Sequence, residues 1–275
     1  MVGSTDDPRG SPKGGPRAFS RVATAAGLPA AVAALGLALA LLALAPLGWR
    51  LGWWPFGVAL FSIIPVSGAA AGAAIALAVA TMVLARSELG PRKLATLVAV
   101  LAVGAGLVYL PLYYDGLFRT LPPIDDIATD TDDRPAFEAT LAAREAVSKD
   151  RDATPEPELS RLQKAGYPDV APVRAALPVP GAFAAALATA RAMSGWTIMA
   201  VDRDRGRIEA SVHSRWFAFT DDIVIRVRAD EGGSRIDVRS ASRVGGHDIG
   251  VNAARVRAYV EALRRRIGQQ GTGGQ

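Results

Sequence analysis

The chain has 275 residues, half of them hydrophobic, with 31 Lys and Arg against 26 Asp and Glu, two His and no Cys. The missing Cys excludes disulfides, thiol nucleophiles and Cys-based zinc sites. The net charge of +5 sits wholly in residues 1–114, which hold eight basic and three acidic groups, while residues 115–275 hold 23 of each; a basic nucleic-acid binder is therefore not expected.

Residues 1–21 carry Arg9, Lys13, Arg17 and Arg21 and read as a disordered basic N-terminus. Residues 22–114 then hold three long uncharged stretches: Ala/Leu-rich Leu28 to Leu47, Gly57 to Ala85, and Leu94 to Tyr114. A bilayer core about 30 Å thick needs roughly 20 apolar helical residues, so each stretch predicts a transmembrane helix. Ala43-Leu44-Ala45 looks like a signal-peptide cleavage site, but the apolar run before it exceeds the usual length of about 7–15 residues. Gly68 and Gly72 form a small-xxx-small pair suited to close helix packing. No ionisable residue interrupts a span, so no intramembrane relay or ion site is expected.

Basic residues set the expected orientation. Arg9, Lys13, Arg17 and Arg21 precede the first span and Arg86, Arg92 and Lys93 separate the second from the third, whereas the opposite side has Arg50 and Arg119. The positive-inside rule then predicts a cytoplasmic N-terminus, and three spans place residues 115–275 outside the cytoplasm of a bacterial inner membrane. Trp49, Trp53, Trp54 and Phe56, and Tyr109, Tyr113 and Tyr114, fall where interfacial aromatic belts belong.

Residues 115–170 predict an acidic linker or arm, with Asp125, Asp126, Asp130, Asp132 and Asp133, and a short helix from Arg134 to Ser148 ended by Asp152 to Pro157. This stretch has a net charge of −6 and residues 171–275 a net charge of +6. Two outcomes remain open: the arm docks on the basic part, or it stays a solvated linker.

In residues 171–267 the pattern predicts an exported α+β domain. Val173 to Val179 suggests a short edge strand, Ala182 to Met193 a helix, and Trp196 to Val201 a strand closed by an Asp202–Gly206 turn. Ile208, Ala210 and Val212 alternate with polar residues, as do Ile223, Ile225 and Val227, and then Ile236 and Val238. Val251 to Ile267 reads as the last helix, and residues 268–275 as a disordered tail. The expected architecture is three transmembrane helices followed by a two-layer domain: an antiparallel sheet of about four strands, covered on one face by helices.

The polar sheet face would carry Arg207, His213, Arg226, Arg228, Arg235 and Arg239, with Glu209 and Asp237 between them. Cross-strand pairing explains such a face; surplus guanidiniums would otherwise hold an anion or the arm. Arg215-Trp216-Phe217-Ala218-Phe219, followed by Asp221 and Asp222, is the most unusual segment. If the strand simply continues, Phe217 and Phe219 point one way and Trp216 the other. Ser242, Arg243, Gly245-Gly246 and Asn252 join the last strand to the last helix, where helix amides beside Arg239 and Arg243 suit an anion. The candidate binding residues are thus Arg215, Trp216, Asp221, Asp222, Arg239, Ser242, Arg243 and Asn252. Asp202-x-Asp204-x-Gly206 starts like a calcium loop but lacks the later ligands, so no metal or other cofactor is expected.

Ile124–Asp130, Tyr167–Asp169, Gly195–Ile198, Gly206–Ala210, Arg215–Phe219 with Asp221–Arg226, and Arg235–Ser240 leading into Gly250–Asn252 together resemble the bacterial family known as domain of unknown function 1499. The resemblance covers about residues 120–265 and implies an exported or membrane-tethered domain. It also implies that the acidic stretch at 124–130 is part of the recurring pattern. It supplies no reaction. The leading expectation is a non-enzymatic inner-membrane protein binding an envelope partner or anionic ligand, with the lipid bilayer as a further partner. Two alternatives stand beside it: an envelope hydrolase using Asp221, Asp222 or His213, and a purely structural membrane component.

Overall fold

A computed structural model describes residues 16–147 and 154–272. The chain divides into two units, Met1–Tyr113 and Tyr114–Gln275. The expected disorder of the N-terminus lies outside the described residues up to position 15; helix α1 begins at Pro16 and runs to Arg50.

In the first unit α1 is followed by the single turn α2 (Phe56–Val58), a π-helical stretch at Ala59–Ile63 and α3 (Ile64–Leu84). Helix α4 (Pro91–Thr120) begins here and its last turns belong to the second unit. Three helical segments, Ser20–Arg50, Phe56–Leu84 and Pro91–Thr120, are long and apolar enough to cross a membrane. Small residues let them approach: Ala71, Ala74 and Ala78 of α3 are fully buried, and Ser67 Oγ donates to the Ala38 carbonyl at 2.7 Å. Helices approach closely at Gly27, where a Cβ would lie 2.2 Å from Thr81 Oγ1, and at Gly104, where it would lie 2.9 Å from Ile75. Gly68 and Gly72, the pair with packing spacing, have only Pro111 at 3.7 Å and open space, respectively. Spacing alone does not choose which small residue meets a neighbour.

The second unit is an α+β domain. Its sheet has six antiparallel strands where the alternation pattern counted about four: β1 (Asp126–Ala128), β2 (Val173–Ala175), β3 (Trp196–Asp202), β4 (Arg207–His213), β5 (Thr220–Asp230) and β6 (Gly233–Ser242). The order is β1-β6-β5-β4-β3, with β2 also pairing β6. Strands β1 and β2 are three residues each, too short to show alternation, and both extend the β6 edge. Because β1 lies in the acidic stretch, that stretch is part of the sheet as well as an arm.

Helices α5 (Leu141–Val147) and α6 (Glu156–Gly166) precede β2, α7 (Val179–Ala192) follows it, and α8 (Val251–Thr272) closes the domain. Helix α7 starts earlier than its apolar spacing indicates because Pro180 fits a first helical turn, where no N–H partner is needed. Helix α8 continues to Thr272, into the Gly/Gln-rich stretch read as a tail. The short helix expected to start at Arg134 begins at Leu141; residues 134–138 are non-helical and run over the sheet, the Pro135 carbonyl accepting from Arg239.

The core lies between the sheet and helices α7 and α8. Ile208, Ile223, Ile225, Ile236 and Val238 from the strands meet Phe183, Leu187, Val256 and Leu263 from the helices, each burial worth about 1.5–3 kcal/mol. Tyr259 is fully buried; its hydroxyl donates to the Ala186 carbonyl at 3.0 Å and its ring stacks on Trp196 at 5.4 Å. Strand β3 forms the free sheet edge and carries an irregularity between Ile198 and Ala200, a device that interrupts edge pairing.

Candidate functional site

Period-two alternation sends successive side chains of a strand to opposite faces, and this divides the candidate residues. Asp222, Arg239 and Arg243 lie on the face opposite the helices. Asp221 and Ser242 lie on the helix-covered face, with Asn252 at the foot of α8. Arg215 and Trp216 lie on neither; they occupy the loop between β4 and β5.

The face opposite α7 and α8 is covered by residues 129–147 of the acidic arm, the short helix α5 included. At one end Asp237 is completely buried and accepts from Arg235 Nε at 2.8 Å and Arg226 Nη2 at 3.0 Å. The arm brings Asp130, which accepts from Arg235 at 2.5 Å and Arg228 at 3.0 Å, and Asp133, which accepts from Arg228 at 2.9 Å and Arg226 at 3.2 Å. Three guanidiniums thus meet three carboxylates, two of them from the arm.

In the middle, Asp126 of β1 accepts from Arg239 Nε at 2.9 Å and Nη2 at 2.6 Å, and from Arg134 of the arm at 2.8 Å. Burial alone would raise this carboxyl, but Arg239 and Arg134 outweigh it and hold the group at about 2. Gln163 of α6 satisfies both main-chain groups of Ala128, donating to its carbonyl at 2.5 Å and accepting from its N–H at 3.0 Å. A side chain here does what a further strand would do.

Beside this pair Glu209 of β4 is fully buried. Its carboxylate accepts the main-chain N–H groups of Glu138, Ala139 and Thr140 at 2.8, 3.0 and 3.0 Å, and Thr140 Oγ1 at 3.0 Å. These are the N–H groups just before α5, so a strand residue acts as an anionic cap on the arm helix.

At the other end Asp222 is fully buried and accepts from Arg243 Nε and Nη2, both at 2.8 Å, from Ser211 Oγ at 2.7 Å and from Arg144 of α5 at 3.2 Å. Burial raises its carboxyl, and the hydrogen bonds from Arg243 and Ser211 more than reverse that, leaving it lowered. Phe137 packs between the arginines, its ring centre 4.4 Å from Arg144 and 4.9 Å from Arg239.

On the covered face Asn252 joins sheet and helix. Its Nδ2 donates to the Asp125 carbonyl at 2.8 Å and to Ser242 Oγ at 3.0 Å, and its Oδ1 accepts from Ser240 Oγ at 2.6 Å and from Arg255. Arg255 in turn donates to Asp221 at 2.7 Å. The α8 cap is Asp248, which accepts from the Gly250 and Asn252 N–H groups at 2.9 and 2.5 Å; burial raises its carboxyl despite those bonds.

Asp221 and Asp222, adjacent in sequence, therefore serve different clusters and do not converge. His213 pairs with Thr220 at 2.9 Å at the strand ends, and His247 stacks on Phe118 at 4.5 Å. Among the described residues no group of three or more His, Asp or Glu has the arrangement of a metal site. The β4–β5 segment does not continue as a strand: it turns after His213, with Ala218 in the left-handed region at φ 53°, so Phe217 is buried and Trp216 exposed. The sequence signals Asp126 as part of an arm that docks on the basic part, but not Arg134, Arg144 or Gln163 as its neighbours on the face, and it presents Glu209 as an ordinary member of a charged face. Alternation does place Glu209 on the correct face; that a helix N-terminus covers it has no local signal.

No match emerged among curated proteins, and none among solved structures. Residues 126–263, half of the chain and the span from β1 through most of α8, match the family described as protein of unknown function DUF1499, and the chain belongs to that family.

Proposed function

We propose that this protein is a non-enzymatic component of the bacterial cytoplasmic membrane whose α+β domain stands outside the cytoplasm and binds an envelope partner. The observation that carries the reading is the closure of the polar face: Asp126, Glu209, Asp222 and Asp237 are each held by two or more donors within the chain. A carboxylate lowered by guanidinium partners is a weak base and a poor proton donor near neutral pH, which disfavours Asp222 as a hydrolytic group. Asp221 is held apart from it by Arg255. An anionic ligand at Arg239 or Arg243 would have to displace Asp126 or Asp222, so a protein partner reading the exposed surface fits better than a free anion.

The three apolar helices and the seven-to-two distribution of flanking basic residues support the orientation. A phosphatase fused after Gln275, active only outside the cytoplasm, tests it; activity confined to a cytoplasmic reporter refutes it. Cross-linking in intact membranes followed by capture of the full-length chain tests the partner. One protein recovered in stoichiometric yield, retained in Arg239→Ala and Arg243→Ala, is expected. A stoichiometric bound metal in the purified chain would overturn the non-enzymatic reading in favour of a hydrolase.

A further inference from the structure

Strands β4 and β5 stay in register as far as His213 and Thr220, and residues 214–219 between them form a braced loop. Ser214 N–H donates to the Phe219 carbonyl at 2.8 Å, Ala218 N–H to the Ser214 carbonyl at 3.0 Å, and Phe219 N–H to Ser214 Oγ at 3.0 Å. Phe217 is buried and stacks on Phe219, ring centres 5.1 Å apart. Ala218 is held in the left-handed region at φ 53°, a conformation that costs an L-residue free energy and persists only where its surroundings enforce it. The result of this bracing is that Trp216 stands out of the domain, 54% exposed. The other indole of the sheet domain, Trp196, is stacked on Tyr259.

The β6–α8 connector, residues 243–250, starts beside this loop: Arg243 N–H donates to the Thr220 carbonyl at 2.9 Å. Within it Gly245 and Gly246 have open space where a side chain would stand, so no bulk there blocks an approaching surface. The charged residues of the loop and connector are Arg215, Arg243 and Asp248. Arg243 is held by Asp222, and Asp248 by the amide groups that open α8. Arg215 is exposed and, among the described residues, has no carboxylate partner. One uncompensated positive charge therefore sits next to one exposed indole on a support that is rigid in the free chain.

We propose that the Arg215–Trp216 loop is the docking point for a protein partner whose surface offers an apolar pocket to the indole and a carboxylate at the pocket rim to Arg215. Trp and Arg are among the residues that most often carry the binding energy of protein interfaces, and a support ordered before binding keeps the ordering cost low. A lipid surface is read differently, by clusters of about four to eight Lys and Arg. This loop carries a single Arg, and its neighbour Phe217 is turned inward. The inference rests on the partner-binding reading of the domain and supplies the surface and the chemistry for it.

Trp216→benzoylphenylalanine in the full-length chain exchanges one exposed aromatic for another that cross-links on irradiation. Asp204, in the exposed turn after β3, is substituted the same way as the control. Irradiation of intact membranes should give one adduct with a protein other than this chain at 216 and none at 204, and the cross-linked peptide should carry Asp or Glu. Capture alone does not decide: Arg215→Glu should cut the adduct about tenfold, and replacing the partner's carboxylate with Lys should restore it. A charge swap without rescue, an adduct between two copies of this chain, an adduct with lipid alone, or no adduct overturns the proposal. Gly246→benzoylphenylalanine, at an exposed position with open space, keeps Trp216 intact; it should label the same protein and decides the matter if the 216 variant misfolds. Chemical cross-linking of the native chain in the same membranes separates the two readings. A partner recovered there without an adduct at 216 or 246 overturns this docking point alone, and no partner at all overturns both.

Discussion

Replacing Asp126 with Asn removes one negative charge from beneath the arm while keeping the side chain's shape. The carboxylate is buried against two guanidiniums, at 2.6 Å from Arg239 and 2.8 Å from Arg134, and these bring it from 3.8 to about 2 against the upward effect of burial. At about 1.4 kcal/mol per pH unit that lowering corresponds to roughly 2 kcal/mol favouring the charged form in the folded state. Truncating a buried pair also leaves guanidiniums short of a partner, a loss of about 3–5 kcal/mol in general. Here the Pro135 carbonyl on Arg239 and Gln163 Oε1 on Arg134 remain, so about 2–4 kcal/mol is expected at neutral pH. A urea titration of the detergent-solubilised full-length chain, read by hydrogen exchange in β5 and β6 peptides, measures it. The acid limb supplies an independent check. The folded-state value lies below the unfolded one, so the stabilisation is complete above about pH 4 and is lost as pH falls toward about 2. Asp126→Asn lacks this contribution and should lose less stability over that window than the native chain. An unchanged urea midpoint at neutral pH, or an identical acid slope, would refute the reasoning.

Glu209→Ala should free the arm before it affects the sheet. Loss of an acceptor shared by three N–H groups costs about 2–3 kcal/mol, and exchange in residues 138–147 should accelerate about tenfold or more while β5 is unchanged. Gly206→Ala should lower the thermal midpoint much further than Gly232→Ala. Both sites are left-handed, at φ 62° and 76°, but a Cβ at 206 would stand 2.1 Å from the Val227 carbonyl oxygen whereas 232 faces open space; equal midpoints would contradict that geometry. Asn252→Ala should cost about 2 kcal/mol in the same urea titration, because it removes one hydrogen bond each from the buried Asp125 carbonyl and the Ser240 and Ser242 hydroxyls.

Much of this architecture is legible in the sequence. Charge-free runs give three spanning-length helices, and alternation finds β4, β5 and β6 with their faces correctly assigned. Strand β1 escapes because Asp126-Ile127-Ala128 offers two adjacent apolar residues and no alternation, and its pairing partner lies more than a hundred positions away. The start of α5 is set by Glu209, a residue of another strand, so no local propensity fixes it. The candidate residues come from two chemistry-rich segments, 215–222 and 239–252, and the pleat distributes them over two faces and a loop. The opposed net charges of residues 115–170 and 171–275 were the one long-range signal, and the structure accounts for them as carboxylates of the arm seated among arginines of the sheet.

The pairing of β1 with β6 has a consequence for the order in which the domain is made. Asp126 and Arg239 are separated by 113 positions, so the arm emerges from the ribosome long before the strand that holds it. Until Ser242 is available, β1 has no neighbour and Asp126 lacks the guanidinium from β6. Assembly is therefore dominated by a late, long-range closure, a topology that slows folding and leaves the earlier strands without their central partner during synthesis. Chains ending before β6 should be recognised as incomplete and degraded, which makes the emergence of β6 a checkpoint for the whole domain.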